Sequence, residues 1–294
     1  MYDRCLPAAN VDRPDSDTAR HFVVIGAQKS GTTGLYMLLR GQPDIAMSFE
    51  KETNYFARPR NGAPSLKEYH TLFPETVAGR WRGEASPVYT MEHEYPGVAE
   101  RLHAVLPDAR LIYIVRDPFK RALSQYQHDY LSGRFTLENG RISRGDLERF
   151  VETSRYHRQL SPYLRYFDLA DMLIIEFDDL VADQGAVAQD VRTFLGLPPL
   201  QLIAETEHRH NTGEERSQVP RFVLRSWNSL PFRLARRYLS DDFRRSLRGV
   251  YRLFPQRTVP PLDEAAQLWI REALADDVAA FRAMTARPFA RWCI

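Results

Sequence analysis

Apolar residues recur along this chain with two different periods. Three short runs are apolar at successive positions, as strands buried on both faces are: His21-Phe22-Val23-Val24-Ile25-Gly26, Arg110-Leu111-Ile112-Tyr113-Ile114-Val115 and Met172-Leu173-Ile174-Ile175-Glu176-Phe177. Residues 45–47 and 81–85 predict two shorter strands. Between and after these runs the apolar positions fall at helical spacing, beginning with Leu35, Leu38 and Leu39 and continuing through 66–73, 95–106, 119–132, 143–153, 158–168, 187–195 and 262–284. The punctuation agrees: Gly41-Gln42-Pro43-Asp44 stops the first helix, Pro118 suits a first helical turn, and Gly196 with Pro198 closes another. Strands alternating with helices predict a parallel sheet with right-handed crossovers and a ligand beyond the carboxyl ends of the strands. The fold class is therefore α/β: a P-loop-type parallel β-sheet flanked by helices, with a helical C-terminal third.

Composition narrows this picture. A length of 294 residues, 44% hydrophobic, supports one large domain, read as 20–294 after a polar leader, 1–19, that carries Pro7 and Pro14. Forty Lys and Arg against 38 Asp and Glu give no global case for nucleic acid, so any basic preference is local. The arginine-rich stretch from Arg221 to Arg257 reads either as a solvated helical face or as a rim that attracts an anion. Two cysteines, Cys5 and Cys293, exclude a disulfide framework or a multi-cysteine metal site. Free thiols are the default, with a bridge between the chain ends as the alternative. No run reaches the ~18 apolar residues of a membrane span, and the first residues lack a signal-peptide core, so a soluble, cytoplasmic protein is expected.

The chemistry begins where the first strand ends. Gly26-Ala27-Gln28-Lys29-Ser30-Gly31-Thr32-Thr33-Gly34 joins a strand to a helix, and backbone N–H groups of such a loop, with the free N–H groups of the helix start, converge on an anion. A Walker A loop has its lysine after the second glycine, where this chain has Thr32. Lys29 instead lies inside the loop, suited to the bridging oxygen of a nucleotide's 5′ substituent. Gln28 to Thr33 resembles the 5′-phosphosulfate loop, Q-K-[ST]-G-T-T, of sulfotransferases that use 3′-phosphoadenylyl sulfate (PAPS).

A second motif falls in the family's order. An arginine at the end of a buried strand offers a rigid fork for a phosphate, and a serine on the next helix adds a donor. Arg116-Asp117-Pro118 through Ser124 resembles the family's 3′-phosphate motif, the alternative being an arginine paired with Asp117 or with a carboxylate elsewhere. A third segment, Lys51-Glu52-Thr53-Asn54-Tyr55-Phe56, resembles the one in which heparan-type sulfotransferases carry a glutamate base, with Asn54 where the family has histidine. Sulfuryl transfer needs a base beside the attacking atom, and a partly desolvated carboxylate serves. His70, His93, His103, His128 and His157 stay open as alternative bases. In Glu84-Ala85-Ser86-Pro87 the animal glycan enzymes have a lysine where this chain has Ala85, which leaves Lys51 as the nearest substitute. Ser86 and Tyr89 are read as cleft lining or as packing residues. Asn211 and Arg216, in a late polar loop after the pair His208 and His210, are candidates for the nucleotide's 3′-phosphate; that pair has no third ligand at metal-site spacing.

The resemblance implies PAPS as co-substrate, adenosine 3′,5′-bisphosphate as product and no metal. The catalytic candidates are Lys29 and Glu52, and the cofactor-binding candidates are Gln28, Lys29, Ser30, Gly31, Thr32, Thr33, Arg116, Ser124, Asn211 and Arg216. The expected acceptor is a glycan, a lipid or another small or carrier-bound molecule, with Tyr55, Phe56, Tyr69 and Phe73 as lining or as core. A small-molecule kinase using Mg-ATP and a non-catalytic nucleotide-binding protein are the competing classes.

Overall fold

The computed structural model describes residues 20–58, 63–74, 81–199 and 258–294. Five strands form one sheet: β1 (His21–Gly26), β2 (Ile45–Met47), β3 (Trp81–Ala85), β4 (Arg110–Val115) and β5 (Met172–Glu176), in the order β2-β3-β1-β4-β5. Every pairing is parallel, so all five carboxyl ends lie on one edge. The helices are α1 (Thr32–Arg40), α2 (Leu66–His70), α3 (Val98–Val105), α4 (Pro118–Leu131), α5 (Arg144–Glu152), α6 (Tyr156–Leu160), α7 (Phe177–Ala182), α8 (Gln184–Phe194) and α9 (Glu264–Thr285).

The alternation along β1 sorts the core into two layers. Phe22 and Val24 face Leu35 and Leu39 of α1 and Val187 and Val191 of α8. Val23 and Ile25 face the other way, into a cluster with Leu102 of α3, Tyr156 and Leu160 of α6, and Phe281 of α9. Both faces are covered, which is why the central strands are apolar at every position rather than at alternate ones. Gly83 is a packing requirement of this sheet: a Cβ there would lie 2.0 Å from the Phe22 ring. A third cluster, Phe119, Phe150, Ile270 and Leu274, joins α4, α5 and α9.

The residues after α9 return to the sheet. Arg287 donates to the Ile174 carbonyl at 2.6 Å and pairs with Glu176 at 3.1 Å, and Arg291 reaches Glu176 and Asp179 at 3.1 and 2.8 Å. Trp292 stacks on Phe289 with ring centroids 4.3 Å apart, and the Cys293 amide donates to Asp117 at 2.6 Å.

All five predicted strands form, with different boundaries at one of them. Phe177 opens α7 instead of ending β5. The helix predicted over 158–168 is broken: α6 ends at Leu160 and a single 3₁₀ turn, Tyr163–Arg165, follows. Pro162 between them lacks the N–H that would continue the ladder. The helix predicted from 95 starts at Val98, because Gly97 is left-handed at φ 75°. The leader 1–19, Cys5 and the stretch Arg221–Arg257 lie outside the described residues. No helix among the described residues is long and apolar enough to cross a membrane.

At the sheet edge opposite the strand carboxyl ends, two imidazoles share one hydrogen bond. His21 Nε2 and His70 Nε2 are 3.0 Å apart, their rings are stacked, and Arg82 lies 3.3 Å from His70. Burial holds His21 down to about 3, and His70 and Arg82 add to the effect. Burial and Arg82 lower His70 as well. The fold keeps His21 neutral, whereas the unfolded chain takes up its proton near pH 6.5. The His21 contribution is complete above about pH 6.5 and is lost as pH falls towards 3, at about 1.4 kcal/mol per pH unit, and His70 acts in the same direction. Urea denaturation between pH 8 and 5 should show this slope, and a His21→Phe variant should flatten it; an equal slope in that variant would remove His21 as its source.

Candidate functional site

The loop after β1 is shaped by two left-handed residues, Lys29 at φ 68° and Gly31 at φ 90°. The Ala27 amide donates to the Ile114 carbonyl of β4 at 2.7 Å, and the Ser30 amide returns to the Ala27 carbonyl at 3.2 Å, so the loop folds over the end of its own strand. Gly31 is the N-cap of α1 without a side-chain cap, and the first turn contains no acidic residue. Its N–H groups and the positive end of the helix dipole are thus available to an anion. Lys29 and Gln28 are half-buried, Thr32 is buried and Thr33 is exposed. Ser30 is fully buried, and its Oγ faces the Tyr156 hydroxyl without closing a hydrogen bond. An unsatisfied buried hydroxyl costs free energy on the order of 1–3 kcal/mol, and an oxygen ligand in the loop would remove that cost.

Arg116 stands at the end of the neighbouring strand, β4. Its backbone is fixed by the Tyr156 hydroxyl, which donates to the Arg116 carbonyl at 2.8 Å and accepts from its amide at 3.2 Å. The guanidinium lies over the Phe177 ring, 4.8 Å from its centroid. That same ring abuts Gly31, where a Cβ would meet Phe177 at 2.7 Å. One aromatic side chain, at the end of β5, therefore separates the anion loop from Arg116. Asp117 is occupied elsewhere: it caps α4 by accepting from the Lys120 amide at 2.9 Å and takes the Cys293 amide. Arg116 forms no ion pair among the described residues. Ser124 is half-buried on α4.

Arg121, which no motif marks in the sequence, is the largest fully buried side chain among the described residues. It donates to the Gln28 carbonyl of the loop at 3.3 Å, to Ser154 Oγ at 2.7 Å and to the Phe150 carbonyl at 2.9 Å, all neutral oxygens. Burial lowers it to about 10, so it stays charged at neutral pH. A buried cation against the loop raises the local positive potential where an anion would sit. Its signal in the sequence is spacing: Arg121 shares the buried stripe of α4 with Pro118, Ala122 and Gln125.

Glu52 lies beyond β3, where its amide donates to the Ala85 carbonyl at 2.9 Å. Its side chain is exposed and ion-paired with Lys51. Both Glu52 and Asn54 are left-handed, at φ 62° and 51°. The desolvated carboxylate is Glu84, fully buried and raised above its ordinary value by burial. Asn54 Oδ1 is buried without a partner.

The other candidates separate clearly. Tyr55, Phe56, Tyr69 and Phe73 are core: each is buried, and their rings pack at 5.0–5.3 Å in a continuous aromatic cluster. Ser86 and Tyr89 are buried as well and bind Glu84 at 2.9 Å each. His70 belongs to the pair with His21, His93 faces Glu94, His103 packs on Tyr166 and Phe167, and His128 pairs with Asp129. The His157 amide is held by Asp277 on α9. Asn211 and Arg216 lie outside the described residues. The structure thus brings Glu52, the Gln28–Thr33 loop, Arg116 and Phe177 to the carboxyl ends of four adjacent strands, β3, β1, β4 and β5.

Comparison with known proteins points the same way. A family model described as sulfotransferase domain matches residues 19–220. The chain is 33% identical over 184 residues to heparan sulfate glucosamine 3-O-sulfotransferase 3B1 of Mus musculus, covering 60% of this chain and 45% of that protein. It is 31% identical over 182 residues to heparan sulfate glucosamine 3-O-sulfotransferase 6 of Homo sapiens, covering 60% and 52%. The chain spans about half the length of the curated relatives it matches. Among solved structures, a sulfotransferase from Alicyclobacillus acidocaldarius shares the fold with a TM-score of 0.62 at 22% identity, covering 94% of this chain and 99% of that one.

Gly31→Ala should destabilise the protein by about 1–3 kcal/mol, since it combines a left-handed backbone with a collision against Phe177. Adding Phe177→Ala relieves the collision but not the dihedral, so denaturant melts of the double variant should recover only part of the loss beyond that of Phe177→Ala alone.

Proposed function

The chain belongs to the sulfotransferase domain family, and from that membership we propose that it moves a sulfuryl group from PAPS to a hydroxyl or amine of a glycan-type acceptor. The observation that carries this reading is the Phe177 ring held between Gly31 and Arg116, which brings a lysine-bearing anion loop and an arginine fork within one side chain of each other. Family membership removes the kinase as a competing class.

The residues present fit the donor. The loop has uncapped helix N–H groups and an orphaned Ser30 hydroxyl, and Arg121 adds a buried positive charge behind it. When bound, PAPS supplies the sulfuryl group and the adenosine 3′,5′-bisphosphate leaving group. Gln28, Ser30, Gly31, Thr32 and Thr33 hold its 5′ end by hydrogen bonds. Lys29 offers its ammonium to the negative charge that grows on the leaving oxygen. Arg116 and Ser124 hold the 3′-phosphate by charge-assisted hydrogen bonds, and Asn211 and Arg216 are proposed to complete that end. Glu52 takes the proton of the attacking hydroxyl or amine, with Lys51 as the second cation near the transferred group. Displacement is in line: the acceptor–sulfur bond forms, the bridging oxygen–sulfur bond breaks, and the acceptor's proton ends on Glu52. A glycan hydroxyl is favoured because the matched relatives are named for transfer to glucosamine.

Thermal shift with adenosine 3′,5′-bisphosphate tests the pocket. At roughly 100 times its Kd the ligand should add about 2.7 kcal/mol of stability, with a much smaller effect of Mg-ATP at equal concentration. Equal stabilisation by both would overturn the 3′-phosphate assignment. Lys29→Ala should lower kcat by roughly 10²- to 10³-fold while changing bisphosphate affinity far less. Unchanged turnover would remove Lys29 from the chemistry.

A further inference from the structure

The Glu84 carboxylate is fully buried, forms no ion pair among the described residues, and accepts three hydroxyl protons. The Thr53 hydroxyl donates to Oε2, Ser86 donates to Oε2 at 2.9 Å, and Tyr89 donates to Oε1 at 2.9 Å. Tyr69 faces the same group without closing a hydrogen bond. Burying a carboxylate with no cation costs several kcal/mol before its hydrogen bonds are counted, so a group this placed calls for a role.

Each of the three hydroxyls also accepts a backbone N–H from one short segment. Asn54 donates to Ser86 Oγ at 3.0 Å, Tyr55 to Thr53 Oγ1 at 3.3 Å and Phe56 to the Tyr89 hydroxyl at 3.2 Å. Glu52 is tied to the next residue of the strand, Ala85, through its own amide. Four amides of this five-residue segment, those of Glu52, Asn54, Tyr55 and Phe56, with Thr53 bonded through its side chain, are therefore gathered at the end of β3. Within that segment Glu52 and Asn54 hold left-handed backbone, which costs a non-glycine residue on the order of 1–3 kcal/mol and persists only where the surroundings over-determine it.

We propose that Glu84 is a positioning residue: through the hydroxyls of Thr53, Ser86 and Tyr89 its buried carboxylate holds the segment from which Glu52 projects. The proposal rests on the reading of Glu52 as the base. A glutamate whose exposed side chain is held, among the described residues, only by its pair with Lys51 needs a fixed backbone beneath it, since misplacement by about 1 Å can cost roughly a hundredfold in rate. The three hydroxyls act as spacers that both satisfy the segment's amides and present their protons to one acceptor.

Glu84→Gln is the test, since an amide donates where the carboxylate only accepts and leaves one hydroxyl proton without an acceptor. Hydrogen–deuterium exchange of a peptide covering residues 50–58 should speed up by roughly tenfold or more, with β1 and β4 unchanged. In steady-state assays kcat should fall by roughly 10- to 100-fold, with adenosine 3′,5′-bisphosphate affinity held within about twofold. Should Glu84→Gln not fold, Ser86→Ala carries the same test, with faster exchange centred on Asn54. Unchanged exchange across 50–58, or acceleration spread evenly over the sheet, would overturn the proposal. Local release with kcat retained would uphold the tether and overturn Glu52 as the base. The exchange measurement needs no activity, so it decides the tether even if the chain transfers no sulfuryl group.

Discussion

Parallel pairing is the constraint on which the site depends. Because β3, β1, β4 and β5 lie side by side and run the same way, the segments leaving their carboxyl ends emerge next to one another. Residues far apart in sequence, Glu52, Lys29, Arg116 and Phe177, are thereby brought to one edge of the sheet. The price in a parallel sheet is that both faces must be covered, and the two apolar layers built on alternate residues of β1 do this. Arg121 then ties the loop to the helical layer, since one guanidinium reaches the loop carbonyl at Gln28 and the last turn of α5 together.

Much of this was legible in the chain. Residues 22–25 and 111–115 read as buried strands because every position is apolar, and the loop and Arg116 fall at the sheet's carboxyl edge because each follows such a strand directly. Local chemistry also set the helix stops at Gly41 and Gly196. What escaped was information carried by contacts between distant residues. Arg121 looks like any helical arginine until α5 is folded against it, and Phe177 looks like the last residue of a strand until it is found between Gly31 and Arg116. The aromatic residues 55, 56, 69 and 73 fit a cleft or a core equally well in one dimension, and only their mutual packing decides for the core.

Two carboxylates near the end of β3 illustrate the same limit. Sequence directs attention to Glu52 through its motif, and a desolvated environment was expected for it. The desolvated group is Glu84, while Glu52 is exposed and paired with Lys51. Burial and motif membership are separate properties, and here they fall on neighbouring elements that the hydroxyls of Thr53, Ser86 and Tyr89 connect.

The residues after α9 bear on this edge too. Arg287 and Arg291 converge on Glu176, the residue before Phe177, and the Cys293 amide binds Asp117, the residue after Arg116. Each flank of the cation–ring stack is thus clasped from behind by the same late segment. Loosening that late segment would therefore reach the cation–ring stack through its two chain neighbours, Glu176 and Asp117.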